Sequence, residues 1–278
     1  MPFSVVHLDI MGNSEYKESD TIVSMLLRRK KGTEKICTTT IEGQHLYYRS
    51  FGNDNSKPLV LLHGFGVSGY MWQRCIPYLA QQAQVFVVDL PGHGHSRLRG
   101  AWQLRAMAPL LALWIEQMGI APIRLVGHSM GGAIAVHLTA SAPDLVERLV
   151  LVNAAGIPLE ATIPALCVRS VRSILQPGGG RYPLRLLGDV LKPRPRLFWQ
   201  AAQDMVRSDF RAELGSIDLP TLILWGERDV LLPLALGQQL HDALPHATFI
   251  SLPNCGHRPP LSQPELFSRL VLEWLSHS

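Results

Sequence analysis

The chain has few of the features that mark disulfide-stapled, metal-binding or membrane-spanning proteins. Only four of its 278 residues are cysteines, and these lie far apart and form no C-x-x-C pair. A disulfide framework or a cysteine-based metal site is therefore not expected. Reduced thiols are typical of cytoplasmic proteins, so we expect this chain in the cytoplasm.

Long apolar runs and strong charge are also lacking. No stretch approaches the roughly 18–20 apolar residues that a membrane span needs, and the N-terminus has no basic start followed by an apolar core. The net charge of +4 is small and spread along the chain, which gives no indication of a nucleic-acid partner. The sequence thus predicts no membrane span, no secretory signal and no nucleic-acid-binding surface.

The chain does contain a regular alternation of strand and helix patterns. Short apolar, β-branched runs, typical of strands buried on both faces, alternate with helical spacings from about residue 58 onwards. Two β-rich runs at 37–41 and 45–50 predict an antiparallel hairpin before them. We therefore expect an α/β fold, a mostly parallel, doubly wound sheet of about eight strands with helices on both faces. Helices are predicted in the core over 68–82, 102–118, 234–244 and 263–275.

Residues 155–216 break the alternation. They show no buried-strand pattern, but they hold six prolines, a Gly-Gly-Gly run and short helical patterns around 163–175, 182–190 and 196–207. An insertion of this length in a compact α/β domain is typical of a lid or binding element, with a purely structural cap as the alternative. The predicted organisation is an N-terminal extension over 1–34, a core in two parts over 35–154 and 217–278, and a helical lid over 155–216.

The stretch around Ser129 carries the strongest chemical signal. An apolar run ends at Gly127 and small apolar residues with helical spacing begin just after the serine, which predicts a strand, a very tight turn and a helix. Glycines at 127 and 131 suit such a turn, because a Cβ at either position would clash where the two backbones approach. We expect an uncommon backbone conformation at Ser129, with its hydroxyl held out of the sheet near the first N–H groups of the helix.

Further polar residues follow predicted strands and are expected at the same edge of the sheet. A reactive serine needs a base, an acid that orients the base, and donors for an oxyanion. His257, in a turn-rich loop after the last strand, is the best base, and Asp229, after the preceding strand, is the best acid. Glu227 is the rival acid, but its alternate position along the chain points it elsewhere. Asp89 is interpreted as a structural aspartate that braces the turn over 92–96.

In their chain order, Ser129, Asp229 and His257 resemble the catalytic triad of the α/β-hydrolase family. Four segments are similar to the family's oxyanion loop, D-x-x-G-x-G-x-S segment, acid turn and histidine loop: 63–66, 89–96, 226–229 and 254–257. The likeness runs from about residue 40 to the C-terminus and leaves the first 34 residues out.

The resemblance implies a role for each of these positions. Ser129 would be the nucleophile, His257 the general base and then acid, and Asp229 the residue that orients the imidazole. The backbone N–H groups of Phe65 and Met130 would form the oxyanion hole. His63 and His128 are expected to brace and pack the site rather than react. Such a mechanism needs neither a metal nor a cofactor.

The resemblance also implies a serine hydrolase that cleaves carboxylic esters of small or medium acyl chains through an acyl-enzyme. Its partner would be a small-molecule ester, and the expected state is a monomer or homodimer. The serine at position 129 argues against epoxide- and haloalkane-cleaving members, which carry aspartate there. Two alternatives stay open: a carbon–carbon bond hydrolase or cofactor-free perhydrolase on the same triad, and a ligand-binding or signalling protein on a hydrolase scaffold.

The lid is expected to provide acyl specificity. Apolar side chains there, among them Leu159, Leu166 and Trp199, are candidates for a roof over the substrate. Arginines crowd the same segment and are interpreted either as a solvated outer face or as groups that hold an acidic acyl group or carrier. These are Arg169, Arg172, Arg181, Arg185, Arg194, Arg196, Arg207 and Arg211.

Overall fold

The computed structural model describes residues 34–159, 161–175 and 195–276, with the backbone alone for 195–198. Residues 1–33 of the predicted extension and the helix predicted over 182–190 lie outside this part of the chain. None of the helices in the described ranges is long and apolar enough to cross a membrane.

Within the described residues, eight strands form one sheet in the order β1-β2-β4-β3-β5-β6-β7-β8. Their bounds are β1 (Lys35–Ile41), β2 (Gln44–Phe51), β3 (Pro58–Leu62), β4 (Gln84–Asp89), β5 (Ile123–His128), β6 (Val146–Val152), β7 (Thr221–Gly226) and β8 (Ala247–Leu252). Strand β2 pairs antiparallel with β1 and with β4, and all other neighbours are parallel. The expected α/β class and the N-terminal hairpin are confirmed.

The helices are α1 (Ile76–Leu79), α2 (Leu104–Met118), α3 (Met130–Ser141), α4 (Ile163–Leu175), α5 (Pro195–Arg207), α6 (Arg211–Leu214), α7 (Leu234–Ala243), α8 (Pro259–Ser262) and α9 (Pro264–Ser276). Short 3₁₀ turns cover Gly69–Trp72 and Pro143–Leu145. The single helix predicted over 68–82 is wrong. The chain forms the first 3₁₀ turn and then α1, because Pro77 in the first turn of α1 has no N–H to continue an earlier helix.

The sheet separates two cores, because successive side chains of a strand point to opposite faces. Along β3, Val60 and Leu62 pack into one core, whereas Leu59 and Leu61 pack into the other. Helices α2, α3 and α7 cover the first face, and α1 and α9 cover the second. Both faces of the parallel strands are therefore shielded from water, which explains their nearly continuous apolar sequences.

The insertion between β6 and β7 is helical in the part that the structure describes. Helices α4 and α5 lie where the sequence predicts helices, and α6 leads into β7. No strand occurs in the described residues of this insertion. The insertion therefore adds no strand to the sheet between these two neighbours, which pair directly with each other.

The turn between β5 and α3 consists of Ser129 alone. Its φ of 53° and ψ of −117° place this non-glycine residue in a rarely occupied region. A Cβ on Gly131 would lie 2.6 Å from the carbonyl oxygen of Leu62, and a Cβ on Gly127 would overlap the carbonyl of Gly131. The two glycines thus let β3, β5 and α3 approach closely enough to hold the strained serine in place.

We expect Gly131→Ala to lower the free energy of unfolding by about 3 kcal/mol, because the methyl group would meet backbone that cannot move aside. Urea unfolding measures this loss. Gly215→Ala is the matched control, since its Cβ would lie 3.8 Å from the nearest atom. Equal stability of the two variants would show that the close approach at Ser129 is not needed.

Candidate active site

Polar side chains follow five of the parallel strands. Because the carboxyl ends of parallel strands meet at one edge of the sheet, the loops that carry these residues lie together. The residues are His63 after β3, Ser129 after β5, Asn153 after β6, Asp229 after β7 and His257 after β8.

Asp229 and His257 are joined by a buried hydrogen bond. Their Oδ2 and Nδ1 atoms lie 2.7 Å apart, and the two residues are 6% and 4% exposed. The backbone N–H groups of Leu231 and Leu232 donate to Oδ1 of Asp229 at 2.8 and 2.9 Å. An ionised carboxylate only accepts, so Nδ1 of His257 donates, and the neutral imidazole keeps its lone pair on Nε2.

Asn153 is a member of this network to which the sequence analysis gave no role. Its Nδ2 donates to Oδ2 of Asp229 at 2.7 Å, and its Oδ1 accepts from the N–H of Gly226 at 3.3 Å. It is fully buried and has a φ of 41°, a conformation that asparagine tolerates well. A polar residue directly after a buried strand, at the same edge as Ser129, was the signal that could have found it.

Glu227, the rival acid, is placed elsewhere. Its Oε1 accepts from the hydroxyl of Ser251 at 2.9 Å. Asp89 braces its own turn, as expected, because it accepts from the N–H of His95 at 2.9 Å. It also accepts from the N–H of Gly69, in the 3₁₀ turn after β3, at 2.8 Å. Of the three acidic residues, Asp229 is therefore the one that contacts His257.

Ser129 and His257 both border a cavity of about 150 Å³. The cavity is mostly apolar, and its roof is formed by Ile163, Leu166, Cys167, Ser170 and Ile174 of α4 together with Ala202 and Met205 of α5. Its floor includes Phe65, Val67, Met71, Leu231 and Leu261. The insertion thus closes one side of the space in front of the serine.

The two residues predicted to form an oxyanion hole lie beside Ser129. A Cβ on Gly64 would be 3.2 Å from Cβ of Ser129, so the loop after β3 packs directly on the serine, and Phe65 of that loop borders the cavity. Met130 is the first residue of α3, and its N–H is one of those that a helix leaves without an intrahelical partner.

The histidines expected to brace the site make hydrogen bonds to backbone. Nδ1 of His63 lies 2.7 Å from the carbonyl oxygen of Gly64, and its Nε2 accepts from the N–H of Leu90 at 2.9 Å. Nε2 of His128 lies 2.8 Å from the carbonyl oxygen of His257. Burial, and then the neighbouring His257, lowers the pKa of His128 well below its usual value, so this ring is neutral and donates to that carbonyl.

Of the three apolar residues expected in the roof, only Leu166 borders the cavity. Leu159 packs against the core of the first face, because it precedes α4 in the loop that leaves the sheet. Trp199 is 52% exposed and outside the cavity lining, since α5 presents Ala202 and Met205 to the cavity instead.

The arginines of the insertion divide into two groups. Arg181, Arg185, Arg194 and the side chain of Arg196 lie outside the described residues. The described ones, Arg169, Arg172, Arg207 and Arg211, do not border the cavity, and Arg211 forms an exposed ion pair with Asp209 at 2.5 Å. A different arginine, Arg258, does border it. In the described ranges, no group of three or more His, Cys, Asp or Glu side chains is arranged to hold a metal ion.

A model of the alpha/beta hydrolase family matches residues 59–270. The chain belongs to this family. It is 32% identical over 241 residues to a pimeloyl-[acyl-carrier protein] methyl ester esterase of Chromobacterium violaceum, a match that covers 78% of this chain and 93% of that protein. It is 28% identical over 262 residues to the hydrolase YugF of Bacillus subtilis, covering 85% of this chain and 96% of that protein.

Solved structures agree with the family assignment. The structure of a thermophilic esterase from Thermogutta terrifontis superimposes with a TM-score of 0.72 at 26% identity. This match covers 87% of the present chain and 98% of the esterase. The family membership inferred from the motifs is confirmed, and with it the expectation that the chain is a hydrolase.

A buried histidine next to the site, His93, should make the free energy of unfolding depend on pH. His93 contacts the ring of Phe65, with centroids 6.0 Å apart, and burial followed by the neighbouring His63 lowers the pKa of His93 from 6.5 to about 3. Below pH 6.5, His93 takes up a proton in the unfolded chain, whereas in the folded chain it stays neutral down to about pH 3. We therefore expect stability to fall between pH 6.5 and 3, by at most about 1.4 kcal/mol per pH unit for this residue.

Urea unfolding of His93→Gln across this pH range measures the effect. The slope of stability against pH should be shallower than in the unmodified protein. His246→Gln is the control, because His246 is exposed and pairs with Asp218 at 2.9 Å. An unchanged slope in His93→Gln would contradict the assignment of a neutral, buried His93.

Proposed function

We propose that the protein is a serine hydrolase that cleaves carboxylic esters of small or medium acyl chains through an acyl-enzyme. The observation that carries the proposal is the buried hydrogen bond of 2.7 Å between Asp229 and His257, beside a cavity that both His257 and Ser129 border. A histidine oriented by a carboxylate, a serine on a strained turn and an apolar cavity between them are the parts that ester cleavage needs.

In the proposed reaction, Nε2 of His257 takes the hydroxyl proton of Ser129 as Oγ attacks the ester carbonyl carbon. The oxyanion of the tetrahedral intermediate accepts hydrogen bonds from the N–H groups of Phe65 and Met130. The intermediate collapses, His257 gives its proton to the departing alkoxide, and an alcohol leaves. A water molecule, deprotonated by His257, then attacks the acyl carbon of the acyl-enzyme. As the bond from that carbon to Oγ of Ser129 breaks, His257 returns the proton to Oγ, and the carboxylic acid leaves.

Asp229 acts on the imidazole in each of these steps. Because it accepts from Nδ1 of His257, it keeps the lone pair on Nε2 and stabilises the imidazolium that forms. Asn153 and the backbone of Leu231 and Leu232 hold the carboxylate in this orientation. Relatives named as methyl ester esterases support the choice of an ester over other substrates of this family.

The cavity supports a limit on acyl size. Its volume of about 150 Å³ matches that of apolar cavities that bind a benzene-sized molecule, so an acyl group on the order of six heavy atoms fits. The apolar roof and floor supply contacts for a hydrocarbon chain rather than for a sugar or a peptide.

The first test is Ser129→Ala with p-nitrophenyl butyrate as substrate. Loss of the nucleophile should lower kcat by roughly 10⁴-fold or more. The variant should still fold, with a melting temperature close to that of the unmodified protein. Ser268→Ala is the matched control. Ser268 is a fully buried serine of α9, on the second face of the sheet, and this variant should keep full activity. Undiminished turnover by pure Ser129→Ala enzyme would reject the proposal.

The second test concerns acyl length. Leu166→Trp fills the cavity from the roof, so kcat/KM for p-nitrophenyl hexanoate should fall at least about tenfold relative to that for the acetate. Val168→Trp is the control, because Val168 lies on the same helix but is 53% exposed and outside the cavity lining. If both variants keep the hexanoate-to-acetate ratio of kcat/KM of the unmodified protein, the cavity is not the acyl site.

A further inference from the structure

Arg258 is a buried charged residue that the proposed mechanism does not use. It directly follows His257, is 5% exposed and borders the cavity. Its carbonyl oxygen accepts from the N–H groups of Leu261 and Ser262 at 3.0 Å, so its main chain is fixed at the start of α8. Burial of a guanidinium is costly without hydrogen bonds, so the hydrogen-bond partners of the Arg258 side chain indicate its role.

The side chain of Arg258 reaches from the histidine loop to the insertion. Its Nη2 donates to the carbonyl oxygen of Ser173 at 2.8 Å, across 85 positions of sequence. Ser173 is 1% exposed and lies in the last turn of α4, which ends at Leu175. Carbonyls of a last turn lack intrahelical partners, and a positive charge there is favourable because of the helix dipole.

Among the described residues, helix α4 has little other anchorage. Of its 13 residues only Leu166 and Ser173 are buried, and its outer face exposes Val168 and Val171. A helix with so small an apolar contact depends on a few specific interactions for its position. The bond from Arg258 is made at one of the two buried positions, next to the roof residue Ile174.

The geometry points to Arg258 as a positioning residue that caps the last turn of α4, holds the roof over Ser129 and so sets the acyl size that the cavity accepts. Because Arg258 is adjacent to His257, the roof is tied to the same loop that carries the proposed base. The anchoring stands on the contacts alone, whereas its effect on acyl size rests on the proposed ester hydrolysis.

Hydrogen exchange followed by mass spectrometry tests the anchoring without any substrate. Arg258→Met keeps an apolar stem of similar length but has no donor. Amides of 163–175 should exchange about tenfold faster or more in this variant, with those of α3 unchanged. Arg258→Lys keeps the charge and a donor, and should restore part of the protection.

Arg74→Met is the matched control. Nη1 of Arg74 donates to the carbonyl oxygen of Leu261 at 2.6 Å, so this arginine makes the same kind of bond to the same part of the core but not to the insertion. Exchange in α4 should stay that of the unmodified protein. Unchanged α4 exchange in Arg258→Met, or faster exchange throughout the core, would overturn the anchoring role.

Kinetics test the consequence for acyl size. In Arg258→Met, KM for p-nitrophenyl hexanoate should rise by a larger factor than kcat falls, because a displaced roof removes contacts with the chain and leaves the reacting atoms in place. An unaltered KM together with faster α4 exchange would overturn the specificity role. Failure of the proposed function would give a different result. The unmodified protein would then hydrolyse no ester, while hydrogen exchange in α4 would still be faster in Arg258→Met than in the unmodified protein.

Discussion

The hydrogen bond between Asp229 and His257 is the interaction on which the rest of the site depends. It joins the loops after two neighbouring strands, β7 and β8, and it is made in the protein interior, where a carboxylate is tolerated only when its oxygens are fully hydrogen-bonded. Asn153 and two backbone N–H groups meet that condition. The imidazole is thereby oriented before any substrate binds, which is what preorganisation requires.

The sheet supplies the second constraint, the position of Ser129 at the cavity that His257 also borders. The strained backbone of Ser129 persists because β3 and α3 pack closely around the turn, with Gly131 against the carbonyl of Leu62. His128, next to the serine, bonds to the carbonyl of His257, so the turn and the histidine loop are tied to each other. Packing of apolar strands thus fixes the relative position of polar groups that are one hundred or more residues apart.

Much of this could be predicted from the sequence, because strand ends are local features. Buried apolar runs followed by Ser129, Asp229 or His257 place these residues at one edge whatever the details of the helices. The same logic applies to Asn153, a polar residue directly after β6, although no role was predicted for it. The helix expected over 68–82 was wrong because a helical spacing does not reveal where Pro77 starts a new helix. In the insertion, Leu166 faces the cavity but Leu159 and Trp199 do not, since tertiary packing, not periodicity, decides which face of α4 and α5 turns inward.

The most direct measurement is covalent labelling of the folded protein with a fluorophosphonate, followed by peptide mapping. This reagent reacts with a serine only when a neighbouring base activates it and an oxyanion site receives the phosphonyl oxygen. We expect one adduct, on Ser129, and none after the protein is unfolded. A folded protein that takes up no label, or takes it up at another residue, would contradict the central claim that Ser129, His257 and Asp229 act together.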